Sequence, residues 1–192
     1  MRGKILSSLV PKLPSKIQMK RIRTGDVVLF NHDHSFFSRQ ITKYNLREYG
    51  QSKCTHAGIV SRTEGEKVWI FEIVNYKTAD HQKYKREWLN KKAKDGKIII
   101  KRSRRLVGVF GRCNKYIGKS YSILDILSIY LYGMTGIKLS LTKKRRVICS
   151  ELTARILYES SKKKVNFEPE FKKPYDLITP MDLYLSKQLK KI

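Results

Sequence analysis

The residues predict an α+β fold, on three observations. Short apolar, β-branched runs of strand length crowd the first half of the chain. A polar segment with one glycine joins two of them as an antiparallel hairpin. Amphipathic helical patterns return from Leu106 onward.

The elements follow in order. Up to about Arg23 the chain reads as an irregular basic arm, interrupted by Pro11 and Pro14, and residues 24–192 form one domain. Thr24-Gly25-Asp26 is a turn, and Val27-Val28-Leu29-Phe30 is a buried strand. In SFFSRQITKYN, Phe37, Ile41 and Tyr44 recur at helical spacing, with Ser35 or Ser38 as the cap. Thr55 to Val60 and Lys67 to Val74 are strands rich in β-branched and aromatic residues. Asn or Asp is wanted before the glycine of a type I′ turn, so Glu64-Gly65 suits a two-residue turn poorly. A three-residue loop, Thr63-Glu64-Gly65, is expected instead. That register sets Arg62 against Glu66, Ile59 against Trp69, Ala57 against Phe71 and His56 against Glu72. Ala79 to Lys94, with Tyr84 and Trp88 among lysines, reads as helical. Asp95-Gly96 is a turn and Lys97 to Lys101 a strand. Leu106 to Tyr116 is a helix with Val109, Cys113 and Tyr116 on one face, broken at Ile117 to Ser120. Ile123 to Tyr132 is another. A helix begins at Cys149, with Leu152, Ile156 and Leu157 turned inward. Thr179-Pro180-Met181-Asp182-Leu183 is a capped last helix with proline at its first position.

Composition bounds the function. The chain has 192 residues, 41% of them hydrophobic, enough for one packed core. Its 42 Lys and Arg face 16 Asp and Glu, a net charge of +26. Such charge favours an anionic partner: nucleic acid, anionic lipid or an acidic cell-wall polymer. Lysine-rich composition can equally reflect the base composition of a gene. Three cysteines, Cys54, Cys113 and Cys149, are too few and too odd for a disulfide framework; they suit a reducing compartment or one reactive thiol. The basic N-terminus lacks the apolar stretch of a signal peptide. Ile123 to Leu139 is the most apolar segment, but Asp125, Gly133 and Gly136 break it short of the ~20 residues that span a bilayer. A cytoplasmic or virion-associated location is therefore expected. No feature supports a cofactor.

Cysteine catalysis needs a thiolate, a base and a group that orients the base. Cys149 stands at a helix start, where free N–H groups and the helix dipole favour a thiolate. It also follows the cations Lys143 to Arg146. The backbone N–H groups of Cys149 and Ser150 could hold an oxyanion. A buried structural cysteine is the alternative. His56 opens an apolar strand, and the predicted register brings Glu72 beside it. A carboxylate there fixes the imidazole tautomer and stabilises its protonated form. The alternatives are an edge histidine and a simple strand-end ion pair. Cys54-x-His56, with His32 and His34, could suggest a metal site, but the spacing matches no standard zinc pattern.

Taken together, Gly25 to Phe30, Thr55 to Val60, Phe71-Glu72, Ile117 to Ser122, Cys149-Ser150-Glu151-Leu152 and Thr179 to Leu183 resemble permuted NlpC-type hydrolases. These are the YiiX-like relatives of papain, with the lecithin:retinol acyltransferase group more distantly akin. The resemblance spans roughly Thr24 to Leu185. It implies a permuted papain-like fold, an antiparallel sheet or small barrel packed against helices, with the histidine strand first and the cysteine helix last. It implies Cys149 as nucleophile, His56 as base and Glu72 as orienter. Tyr121 and Asp26 would then line the substrate pocket, although Tyr121 could merely pack. Lys119-Ser120 before Tyr121 departs from the proline and aspartate common in that group, which bears on specificity. The expected activity is cleavage of an amide, first of all a peptide bond of peptidoglycan, or of a lipid amide or ester. The other class is a basic protein that binds nucleic acid or anionic lipid and keeps a vestigial hydrolase fold. Its basic runs are not interleaved with aromatics as a stacking platform requires. A phage-encoded or virion-carried enzyme would satisfy both.

Overall fold

A computed structural model describes residues 22–31, 36–73, 78–122, 129, 131, 135 and 146–192. In chain order the elements are β1 (Val27–Phe30), α1 (Phe36–Tyr49), β2 (His56–Glu64), β3 (Lys67–Glu72), β4 (Asp80–Lys85), α2 (Arg86–Lys94), β5 (Ile98–Arg102), α3 (Val109–Asn114), β6 (Ser120–Tyr121), β7 (Arg146–Val147), α4 (Cys149–Ser160), α5 (Phe167–Phe171), a 3-10 turn (Tyr175–Leu177), α6 (Pro180–Leu185) and β8 (Lys190–Lys191). The basic arm and the Ile123 to Tyr132 helix lie outside the described residues, apart from Ile22 and Arg23 of the one and Ile129 and Leu131 of the other. So do Ser35, His32 and His34.

Six strands form one antiparallel sheet in the order β4-β3-β2-β1-β5-β8. Alternation along the strands feeds two apolar layers. Val27, Leu29, Ala57, Ile59 and Phe71 pack with Leu152, Ala154, Ile156 and Leu157 of α4. Val28, Phe30, Val60, Val68, Ile70 and Ile100 pack with Leu89 of α2 on the other side. The sheet is thus covered on both faces, which explains why β1 is apolar at every position.

The structure differs from the expected hairpin. The turn is two residues, Gly65-Glu66, and Gly65 takes φ +54°. Glycine at the first central position meets the demand of a type II′ turn, so the objection to Glu64-Gly65 does not apply. Glu64 then pairs with Lys67 and Arg62 with Trp69, and a bulge shifts the register before Val60 meets Ile70. Ser61 sits in the bulge, fully buried, donating to the Trp69 carbonyl (3.1 Å) and meeting His81 Nδ1 (2.8 Å). Such bulges redirect the strand beyond them.

Two further expectations are corrected. Ala79 to Lys94 is not one helix: Asp80–Lys85 forms the edge strand β4, and only Arg86–Lys94 is helical. Ser38 does not cap α1, because the helix already begins at Phe36. Thr179 does cap α6: its Oγ1 accepts from the Asp182 N–H (3.1 Å), and Asp182 Oδ2 accepts from the Thr179 N–H (2.8 Å). Asp182 Oδ1 also takes the Tyr49 hydroxyl (2.6 Å) and faces Lys173 Nζ (3.4 Å), tying α1 to α6. Among the described residues no helix is long and apolar enough to cross a membrane.

Candidate active site

Four pieces of chain converge where β2 begins. His56 is its first residue, paired with Phe30 of β1. The tip of α4 carries Cys149, delivered by β7, whose parallel pairing with β6 places Tyr121 nearby. Several bonds hold that tip. Ser150 Oγ donates to the Ile178 carbonyl (2.6 Å), and Thr153 Oγ1 donates to the Cys149 carbonyl (2.9 Å). Glu151 reaches back to the Ile148 N–H (3.4 Å) while Arg155 neutralises its other oxygen (2.8 Å).

The thiol of Cys149 is hydrogen-bonded to His56, and the backbone N–H groups of Ala57 and Ser150 point at the sulfur. Burial alone would raise this thiol. The His56 charge, its hydrogen bond and the two N–H groups outweigh burial and bring the pKa down. His56 responds in the opposite sense. Burial lowers it, but the Cys149 thiolate, followed by Glu72, pushes it up to about 10. Both shifts run in the sense that favours a thiolate beside an imidazolium. The other two cysteines are unlike it: burial raises Cys54 far above its ordinary value and Cys113 to about 12. Cys54 merely donates to the Pro180 carbonyl (3.2 Å).

Glu72 Oε2 meets His56 Nε2 at 2.7 Å, and the carboxylate is buried. The expected contact is there, but the register is not. Ile59 pairs with Phe71, so Glu72 stands across from Gly58 and His56 reaches it diagonally. Gly58 makes room: a Cβ there would lie 3.2 Å from that of Glu72 and 2.6 Å from Ile70 Cγ2. The bulge at Ser61 and the shorter turn together moved the pairing two residues along, which keeps both side chains on one face.

Tyr84 is a site residue the sequence reading missed. Its hydroxyl donates to Glu72 Oε1 (2.6 Å), and its ring lies against Phe30 and Trp88. Burial, then the Glu72 charge, keeps its phenol protonated far above the usual range. It is a permanent donor, and it fixes the carboxylate that fixes His56. The N–H of Ala57 was missed as well.

Tyr121 lies in a narrow apolar pocket beside Cys149 and Ser150, with Tyr44, Ile148 and Pro180 among its walls. The pocket holds about 20 Å³, little more than one water. Asp26 is not brought to it. It is buried at the far end of β1, clamped by Arg102 through Nε–Oδ1 and Nη2–Oδ2 contacts of 2.7 Å each. Its Oδ2 also accepts the Arg23 N–H (3.0 Å). Among the described residues no cluster of His, Cys, Asp and Glu could hold a metal.

No protein-family model matches this chain, and no curated protein matches it.

Proposed function

We propose that this protein is a cysteine hydrolase that cleaves an amide or ester through a thioester on Cys149, in a permuted papain-like arrangement. The observation that carries the reading is the thiol at a helix tip, hydrogen-bonded to an imidazole that Glu72 backs at 2.7 Å. The Cys149 sulfur attacks the substrate carbonyl carbon, and its electron pair moves onto the oxygen. The N–H groups at the start of α4 receive that oxyanion. Collapse expels the amine or alcohol, which takes the proton held on His56. Water then gives a proton to His56 and its oxygen to the thioester carbon. The C–S bond then breaks, and the acid leaves the thiolate and the protonated His56 as they began.

The walls of the pocket say something about the substrate. An apolar space of methyl size beside the nucleophile suits a peptide with a small side chain next to the scissile carbonyl, as a peptidoglycan peptide offers. A lipid ester would need the pocket to open. The reading is tested with Cys149→Ala: the fold is retained by circular dichroism, and hydrolysis of an alanine-containing peptide amide falls at least about 10³-fold. A thiol-directed probe labels Cys149 in the wild type. Labelling of Cys54 or Cys113 instead, or hydrolysis surviving the substitution, removes the mechanism.

A further inference from the structure

A second cavity lies at the other end of β1, about four residues, or ~14 Å, from Phe30 and its partner His56. It shares no residue with the pocket beside Cys149. Its volume is about 350 Å³, room for several waters or a multiply charged group. Four arginines line it, Arg23, Arg102, Arg104 and Arg105, against one carboxylate, Asp26. That carboxylate is already spent: both oxygens are taken by the Arg102 fork. Arg23, Arg104 and Arg105 are exposed and form no ion pair among the described residues. Ser103, between the arginines, also lines the cavity, and its Oγ is buried without a hydrogen-bond partner.

The wall is fixed in shape. Leu106 packs so closely on Gly25, which takes φ +93°, that a Cβ there would come within 2.8 Å of Leu106 Cδ1. The Asp26 pair likewise locks Arg102 onto the start of β1. Arg23, Arg104 and Arg105 thus give this cavity three guanidinium groups with no ion pair among the described residues. Guanidinium forks match phosphate oxygens bidentately.

We propose that this cavity binds a phosphate group. The site is independent of the hydrolase reading, since none of its residues takes part in that chemistry.

The test is calorimetric titration of the full chain with inorganic pyrophosphate, and separately with a short single-stranded oligonucleotide, at fixed salt. Saturable pyrophosphate binding identifies a terminal phosphate. Saturation by the oligonucleotide, competed by pyrophosphate, identifies a phosphodiester. Arg104→Ala with Arg105→Ala weakens either at least about tenfold, because charge-assisted bonds are lost. Lys91→Ala with Lys94→Ala removes the same charge from the exposed face of α2 and changes affinity less than about twofold. Each variant's fold is checked by circular dichroism. Equal weakening by the lysine pair, or no saturable binding of either probe to the wild type, overturns the proposal.

Discussion

The sheet holds two buried carboxylates that are put to opposite uses. Asp26 gives both oxygens to a guanidinium that stays charged at any working pH, plus a backbone N–H. Glu72 gives one oxygen to a phenol that stays neutral and the other to an imidazole that titrates. In the first arrangement the partner does not titrate, and the pair serves to hold the chain together. The second leaves one partner free to gain and lose a proton. Burial and good geometry are common to both, so neither marks a site for proton transfer. What separates them is the chemistry of the partner.

Substitutions can break that contrast. Glu72→Gln is expected to have the largest effect, lowering hydrolysis at least about 100-fold while the fold persists, because the imidazole loses the charge that stabilises its protonated form. A pH profile of thiol alkylation sharpens the same point. The reactive pair exists above the lowered pKa of Cys149 and below that of His56, about 10. Removing the Glu72 charge lowers the His56 pKa, so in Glu72→Gln the alkaline limb moves to lower pH. An unmoved limb would mean that Glu72 does not act through His56.

Asp26→Asn should do the reverse, costing about 3 kcal/mol of stability in urea denaturation, since it leaves Arg102 without its counter-charge. Activity per folded molecule should be unchanged. A catalytic defect there would return Asp26 to the substrate site. The smallest effect is expected of Tyr84→Phe. Losing one hydrogen bond to a charged acceptor, about 1.5 kcal/mol, should lower hydrolysis roughly tenfold, with the Michaelis constant little changed.

The strands and the cysteine helix were legible because their apolar spacing is local. Val27 to Phe30, Ile98 to Ile100 and the Cys149 to Leu157 face carry their own periods. The hairpin was legible as a hairpin, but its register was not: Gly65 admits two turn types, and nothing about Ser61 announces a bulge. Strand β4 was hidden because DHQKYK is an edge strand, polar on both sides, whose lysines look like a solvated helix. Tyr84 was hidden with it. Asp26 shows the other limit. Its partner Arg102 lies 76 residues away, and no local pattern links them. Cys149, His56 and Glu72 could be chosen because each residue type suits a role, and their convergence then depended on the tertiary fold.

Tyr84 has a consequence for heat. It is carried by an outer strand of the sheet, which hydrogen-bonds to β3 on one side and, among the described residues, to no strand on the other. Outer strands fray before the centre melts. Warming should therefore detach the phenol from Glu72 while Val28, Val60 and Ile70 are still packed. Catalytic rate would decline several degrees before the cooperative transition, reversibly on cooling.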